Sequence, residues 1–513
     1  MGAENLEKQE KTSTNNEKKE VHRLKCYHGV QKKEEIAVLM KESAVGVFLI
    51  RSCFVKSDVA LALILSVKVS IGESDSCIHH YVIDYRAGAF VLLQEFKDGE
   101  KTVSVESKPF PSVSDMLTYY QHHRLACKVR LRAPLKRPSW QLRHSQIKFE
   151  KSGKLGSGNF CIVYKGKLTT RDGKTRDVAV KVTKDTEKES AALMETRNLL
   201  FAEARIMMNY KHGNVIALYG LACDLPPFMV CMEFCAGGSL EDALKKFGKD
   251  MEEFERQIFL IDAARGMRYL HTQNCIHRDL ASRNCLISHD GLVKIADFGL
   301  SRTLKKDEKA FKEALKEAPL AWLAPECIQR ESEFSTKTDV WAFGVVMYEV
   351  YNNAEKLFAN EDDAVKIKRI KRANMPSIEN RTKQAAMQSV LSSIWTRKPE
   401  DRPEFQKILE ALIAALVPIE QSDLKRMQIN NLKGVSRSQM PATEIGQDEI
   451  ITEDRVEAEF SEKNRKLKQE LQKKRSSAHR RERQPKEEQP KSRKPGPVRT
   501  NSGTKRQVLP SSE

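Results

Sequence analysis

Apolar and polar positions alternate with period two through VALALILSVKVSI, residues 59–71. Val59, Leu61, Leu63, Leu65, Val67, Val69 and Ile71 then share one face, as in a strand half-buried against a core. Two stripes with helical spacing flank it. KKEEIAVLMKE places Ile36, Leu39 and Met40 on one face, and SVSDMLTYY does the same with Val113, Met116, Leu117 and Tyr120. The span 23–136 therefore reads as helix, several strands, helix: a small α+β module, an antiparallel sheet flanked by two helices. A short basic linker, 137–147, follows. Residues 148–418 are dense in apolar periodicity, first strand-like and then helical. The last clear helix is RPEFQKILEALIAAL, with Phe405, Ile408, Leu409 and Leu412 at i, i+3, i+4 and i+7. Residues 1–22 and 419–513 are polar and charged, and are expected to be disordered.

Composition refines this outline. The chain has 513 residues, a net charge of +18 and 31% charged side chains. Residues 461–513 hold 17 basic and 6 acidic side chains, so more than half of the excess charge lies in one tail. The tail contains no aromatic residue to stack on bases, which argues against specific single-strand nucleic-acid recognition. It is expected to be a solvated arm drawn electrostatically to anionic membranes. The 11 cysteines form no CxxC pair and lie within apolar strings such as MVCMEFC. They read as reduced, buried thiols of a cytoplasmic protein rather than disulfides or zinc ligands. The N-terminal segment has no apolar run of the kind a signal peptide needs.

Residues 148–418 carry an ordered set of chemical groups. KLGSGNFCIVYKG opens with a glycine turn in which Gly156 and Gly158 allow backbone N–H groups close to phosphates, while Cys161 stands where a third glycine would fall. VAVKV then supplies Lys181, FAEARIMM supplies Glu203, and HRDLASRN and DFG follow. Holding a triphosphate, holding a metal and aligning a hydroxyl are the three needs of phosphoryl transfer, and the set meets them in order.

On these motifs, 148–418 resembles a protein kinase domain of bilobal fold. The resemblance implies ATP and Mg2+ as cofactors. It implies Asp279 as the base that orients the substrate hydroxyl, with Arg283, Asn284 and Lys181 in the catalytic set, and Asn284 and Asp297 as metal ligands. Leu155, Gly156, Gly158, Val163, Ala179, Lys181, Glu203, Met232, Glu233, Cys235 and Leu286 would form the nucleotide site, with Met232 as gatekeeper and Glu233 and Cys235 in the hinge. Glu326 of APE would pair with Arg402, and Asp339 would anchor the catalytic loop. HRDLASRN and PLAWLAPE resemble the tyrosine-specific class, with Ala281 where serine/threonine kinases usually carry lysine; Ala321 and Leu323 depart from the usual substrate platform.

CYHGVQKKEEIAVLMKESAVGVFLIRSC resembles the start of a Src-homology-2 (SH2) domain, with Cys26 in place of a tryptophan. That resemblance implies phosphotyrosine binding by Arg51, closed by Lys33 and His80. An SH2 domain directly before a kinase, together with GNF in the nucleotide loop, resembles the Fer/Fes non-receptor tyrosine kinases, here without their F-BAR region. The expected function is transfer of the γ-phosphoryl group of ATP to tyrosines of partner proteins, in the cytoplasm or peripherally at the plasma membrane. The alternative is a catalytically weak adaptor that scaffolds phosphotyrosine proteins. No tyrosine lies between DFG and APE, where such kinases usually carry an activating one. By alignment that position falls near Lys309, and Asp307 and Glu308 are expected to substitute partly for the phosphate.

Overall fold

A computed structural model of the protein describes residues 21–54, 61–72, 75–98, 101–158, 160–184, 190–305, 307–313, 320–329, 331–382 and 384–442. The basic tail and Val59 lie outside the described residues. The first sheet has six strands in sequential order: β1 (Tyr27–Val30), β2 (Phe48–Phe54), β3 (Leu61–Lys68), β4 (Ile78–Arg86), β5 (Ala89–Asp98) and β6 (Lys101–Glu106). All pairs are antiparallel except β1–β2, which is parallel. The period-two pattern sorts the faces. Leu63, Leu65 and Val67 turn to the core shared with Met116, Leu117 and Tyr120 of α2 (Val113–His122). Leu49 and Ile78 turn to the other side, under Ile36 of α1 (Lys33–Leu39) and Met40, which caps its C-terminal end. The strand stops earlier than its alternation predicts. β3 ends at Lys68, and Ile71 is 93% exposed. Val21 is buried in this core, so the fold begins inside the N-terminal segment expected to be disordered.

The remainder is bilobal. The upper sheet runs β7 (Gln141–Leu142), β11 (Leu218–Ala222), β12 (Met229–Glu233), β10 (Thr175–Thr183), β9 (Cys161–Thr169) and β8 (Ile147–Ser157), with α3 (Ser190–Met207) packed against it. β7 comes from the predicted linker, which is thus an edge of the upper lobe rather than a tether. Below β12, the lobe is built around α4 (Leu240–Phe247) and α5 (Glu253–Thr272), and around α6 (Thr336–Tyr351), α7 (Asp363–Lys371), α8 (Ala385–Ile394) and α9 (Phe405–Ala414). A small sheet of β13 (Gly238–Ser239), β15 (Cys285–Ile287) and β16 (Val293–Ile295) lies below the cleft; β14 (Cys275–Ile276) pairs with β17 (Arg302–Thr303). Phe405, Ile408, Leu409 and Leu412 are all buried, as their spacing predicts.

The helix α5 is buried on almost every side, and it carries Glu255, Asp262 and Arg265 into the interior. Buried charges need partners, and here they come from beyond residue 418. Residues 420–442 wrap the lower lobe through α10 (Gln421–Arg426) and a following turn, burying Leu424, Met427, Ile429 and Val435. Arg437 donates to Asp262 at 2.6 and 3.3 Å and to Gly291 O at 2.8 Å. Gln428 N donates to Glu255 at 2.7 Å, and Arg265 donates to Ala442 O at 2.7 Å. The prediction of disorder from residue 419 is therefore corrected: this strap is part of the lower lobe.

The N-terminal sheet also docks on the upper lobe. Val30 packs with Leu200, Phe201 and Ala204 of α3, and Val30 N donates to Cys223 O at 2.7 Å. Tyr27 OH donates to Asp224 O at 2.7 Å, and Arg137 pairs with the Asp224 carboxylate at 2.7 Å. Glu35 of α1 binds two arginines of α3. Arg197, whose side chain is fully buried, lies 2.8 Å away, and Arg205 completes the pair from the exposed side.

Candidate active site

The cleft between the lobes gathers most of the predicted residues. Its roof is the turn between β8 and β9, closed by a 2.9 Å bond from Gly158 N to Cys161 O. An atom added at the Gly156 Cα would meet nothing within 4 Å, so the turn faces open space rather than protein. Registers place Gly156 opposite Val163, Val163 opposite Lys181 and Ala179 opposite Met232, so these side chains share one region of the sheet. Leu155 stands exposed at the rim. Lys181 Nζ donates to both oxygens of Glu203, at 2.7 and 2.8 Å. Burial alone would depress the lysine, but the Glu203 and Asp297 carboxylates outweigh it and hold Lys181 above its ordinary value. Burial pushes the Glu203 carboxyl up while Lys181 pulls it down. With two short charge-assisted bonds, the arrangement is an ammonium–carboxylate pair.

The hinge follows β12. Glu233 is fixed by Lys294, 3.1 Å away and buried, and by Ala217 N at 3.3 Å. Nothing in the sequence marked Lys294, since a lysine three residues before DFG reads as an exposed strand residue. Cys235 is buried, and burial pushes its thiol up to about 12. The same cause holds Cys231, Cys275 and Cys327 near 12, and all 11 cysteines are free thiols. Leu286 lies on β15, paired with Lys294 of β16 across the floor of the cleft.

The floor is the loop between β14 and β15. Arg278 takes a left-handed backbone, φ +70°, which costs a non-glycine residue about 1–2 kcal/mol. Asp339 of α6 holds it there, accepting from His277 N at 2.8 Å and Arg278 N at 2.9 Å. The Asp279 carboxylate accepts from Arg283 at 2.5 Å and from Asn284 Nδ2 at 2.8 Å. Arg283 also lies over the Trp322 ring, 4.6 Å from its centroid. Asp297 has φ +64°, and the following Phe298 is fully buried against His277 and Tyr210, with ring centroids 5.3 and 5.7 Å apart. Glu326 and Arg402 form the predicted pair, and it is bidentate, at 2.6 and 2.8 Å.

Among the described residues, no group of three or more His, Cys, Asp or Glu forms a metal cage. A Mg2+ ion would need only one or two protein oxygens here, since it keeps several waters and binds phosphate oxygens. Asn284 commits Nδ2 to Asp279, so Oδ1 is the atom it would offer a cation.

The profile of the protein tyrosine and serine/threonine kinase family matches residues 149–412, half of the chain. The protein belongs to that kinase family. Kinases similar to it include Fer-related kinase 1 of Caenorhabditis elegans, 31% identical over 77% of this chain and 94% of that protein. The mouse cytoplasmic tyrosine-protein kinase BMX is 27% identical over 80% of this chain and 60% of BMX. Human tyrosine-protein kinase Fer is 28% identical over 75% of this chain, and the chain spans 43% of that kinase's length. The family profile leaves both the N-terminal sheet and the strap at 420–442 outside its match.

On the N-terminal sheet of this kinase, Arg51 is 5% exposed and lies on the face under α1. Its Nη1 donates to Gln31 O at 3.0 Å and its Nε to Ser66 Oγ at 3.4 Å; Ser66 in turn contacts His80 Nδ1 at 2.9 Å. The structure thus joins Arg51 to His80 through Ser66, while Lys33 stands exposed at the first residue of α1. Among the described residues no carboxylate pairs with Arg51. Among the described residues, too, no helix is long and apolar enough to cross a membrane.

Proposed function

We propose that the protein is a tyrosine-specific protein kinase that uses ATP and Mg2+ and carries an SH2-type phosphotyrosine-binding module. The convergence of Asp279, Arg283, Asn284 and Asp297 beneath the Lys181–Glu203 pair carries the reading. ATP with Mg2+ supplies the electrophilic γ-phosphorus. Lys181 neutralises phosphate oxygens, Asn284 and Asp297 hold the cation, and Asp279 accepts the hydrogen bond of the incoming hydroxyl and orients it in line. Met232, Glu233, Cys235, Val163, Ala179 and Leu286 enclose the adenine. Arg283, braced between Asp279 and Trp322, replaces the usual serine/threonine-kinase lysine as the positive group beside the base. It suits a phenol, which reaches farther from the peptide backbone than a seryl hydroxyl.

A buried arginine whose hydrogen bonds go only to the neutral Gln31 O and Ser66 Oγ supports the second half of the proposal. Burial lowers the pKa of Arg51 against the pull of the Glu34 and Glu35 carboxylates, neither of which bonds to it, and a phosphate would supply a directly bonded anion. The docking of α1 on α3 supports a role for this module in positioning Glu203, because Arg197 and Arg205 occupy the same helix. Phosphate transfer to a tyrosine copolymer by purified protein, beside Asp279→Asn, tests the reading. The variant is expected to lose at least about 100-fold in kcat. A wild type that binds ATP but transfers nothing, with or without phosphopeptide, points to the adaptor instead.

A further inference from the structure

The segment after DFG has no tyrosine, yet it is tied down at two points. At the first, Arg302 of β17 pairs with Glu308 at 3.2 Å, and the Glu308 carboxylate also accepts from Lys305 N at 3.2 Å. At the second, Arg278, next to Asp279 in the chain, pairs with Glu313 at 3.0 Å. Between these points lies β18 (Ala310–Glu313), paired antiparallel with β19 (Ser332–Ser335). Its Phe311 stacks on Phe334 at 5.5 Å. Both guanidiniums lie over the Phe311 ring, Arg302 at 4.0 Å and Arg278 at 5.2 Å. Two cations and two carboxylates thus bracket one aromatic pair, and the backbone of Arg278 is itself held by Asp339.

We propose that Glu308 and Glu313 are positioning residues that clamp this segment to Arg302 and Arg278, giving a catalytic loop that is ready without tyrosine phosphorylation. The proposal rests on the kinase reading above and goes beyond it in naming the control. A carboxylate carries one negative charge where a phosphate carries nearly two, so two carboxylates at two arginines match the charge of one phosphate shared between them. The expectation from sequence named Asp307 and Glu308. The geometry keeps Glu308, replaces Asp307 with Glu313, and leaves Asp307 exposed.

The clamp is partly solvated: the Glu313 side chain is 49% exposed and that of Glu308 24%. Each pair therefore contributes as exposed ion pairs do. Removing both is expected to speed amide hydrogen exchange across 302–313 by about fivefold and to lower kcat/KM by a similar factor. The experiment uses the full chain after phosphatase treatment, comparing wild type, Glu308→Gln/Glu313→Gln and Asp307→Asn. The double variant should exchange faster and Asp307→Asn should not. In the double-variant background, Lys309→Tyr phosphorylated by a separate tyrosine kinase should recover slow exchange and turnover, which a merely structural role would not allow. Unchanged exchange in the double variant overturns the clamp, as does a phosphorylated Lys309→Tyr protein no slower in exchange than its unphosphorylated form. Exchange that responds as expected in a protein with no transfer activity upholds the clamp and refutes the tyrosine kinase reading instead.

Discussion

The Arg437–Asp262 pair offers the sharpest test of whether the strap belongs to the kinase fold. The Arg437 side chain is wholly buried, and that of Asp262 is 4% exposed. Truncation to Arg437→Met removes a bidentate partner from Asp262 and a donor from Gly291 O. The carboxylate stays behind, still accepting from Val293 N at 3.0 Å. Breaking a buried pair from one side costs about 3–5 kcal/mol, because an uncompensated charge remains. At about 2 °C or more per kcal/mol for a domain of this size, the melting temperature should fall by about 10 °C. Adding Asp262→Asn removes the stranded charge and keeps an acceptor for Val293 N, so the double variant should regain more than half of the loss. Urea unfolding followed by tryptophan fluorescence measures all three proteins. An Arg437→Met protein within about 0.5 kcal/mol of wild type would refute the reasoning, since it would mean that the guanidinium lies in water and the strap is not docked.

The other expectations concern charges whose settings the structure fixes. Glu35 is held below its ordinary 4.5 by its arginines, which overcome the effect of burial. Its stabilisation is complete above pH 4.5 and lost as pH falls below it, so the melting-temperature gap between wild type and Glu35→Gln should hold above pH 4.5 and close progressively below it. Glu255 behaves oppositely: burial raises it to about 7. Its contribution is present below pH 4.5 and lost as pH rises to 7, so Glu255→Gln, which keeps an acceptor for Gln428 N, should flatten the decline of stability across that window in thermal melts. Arg402→Ala strands the Glu326 carboxylate, empties the space over the Trp341 ring and should cost about 3–5 kcal/mol in the same unfolding assay. Arg51→Ala should abolish binding of a phosphotyrosine peptide in calorimetry while leaving basal transfer within twofold.

The stripes at residues 36–40, 113–120 and 405–412 were legible because each buries one face against a sheet or helix, and that demand writes itself as a period. The cleft was legible because phosphoryl transfer needs particular groups in a particular order. The strap was not. QSDLKRMQINNLKGVSRSQMPA has only a few buried apolar side chains, irregularly spaced, and its strongest anchor is an arginine. A buried arginine and a solvated one look the same in a sequence, and only the carboxylate waiting on α5 distinguishes them. Arg197 was hidden for the same reason: its partner Glu35 lies 162 positions earlier. The early end of β3 was hidden because Val69 and Ile71 continue the alternation after the ladder has stopped.

The helix α3 is where these separate ion pairs meet. Glu203 and Arg197 are six residues apart, which at 3.6 residues per turn separates them by about 120° around the axis. One side of the helix therefore faces Lys181, and another faces α1 of the N-terminal module. Leu200, Phe201 and Ala204 fill the space between and carry Val30 into the same apolar cluster. A helix so held cannot rotate Glu203 away from Lys181 without drawing Arg197 out of its buried bond to Val30 O at 2.6 Å and away from Glu35. The docked module thus disfavours the disengaged helix by whatever those contacts contribute, and coupling can be no larger than that difference. It follows that Glu35→Gln should lower kcat/KM only as far as it frees α3. A companion Arg205→Gln, which removes the exposed bond alone, should do so less. Equal losses from the two would place the coupling elsewhere than in the buried half of the contact.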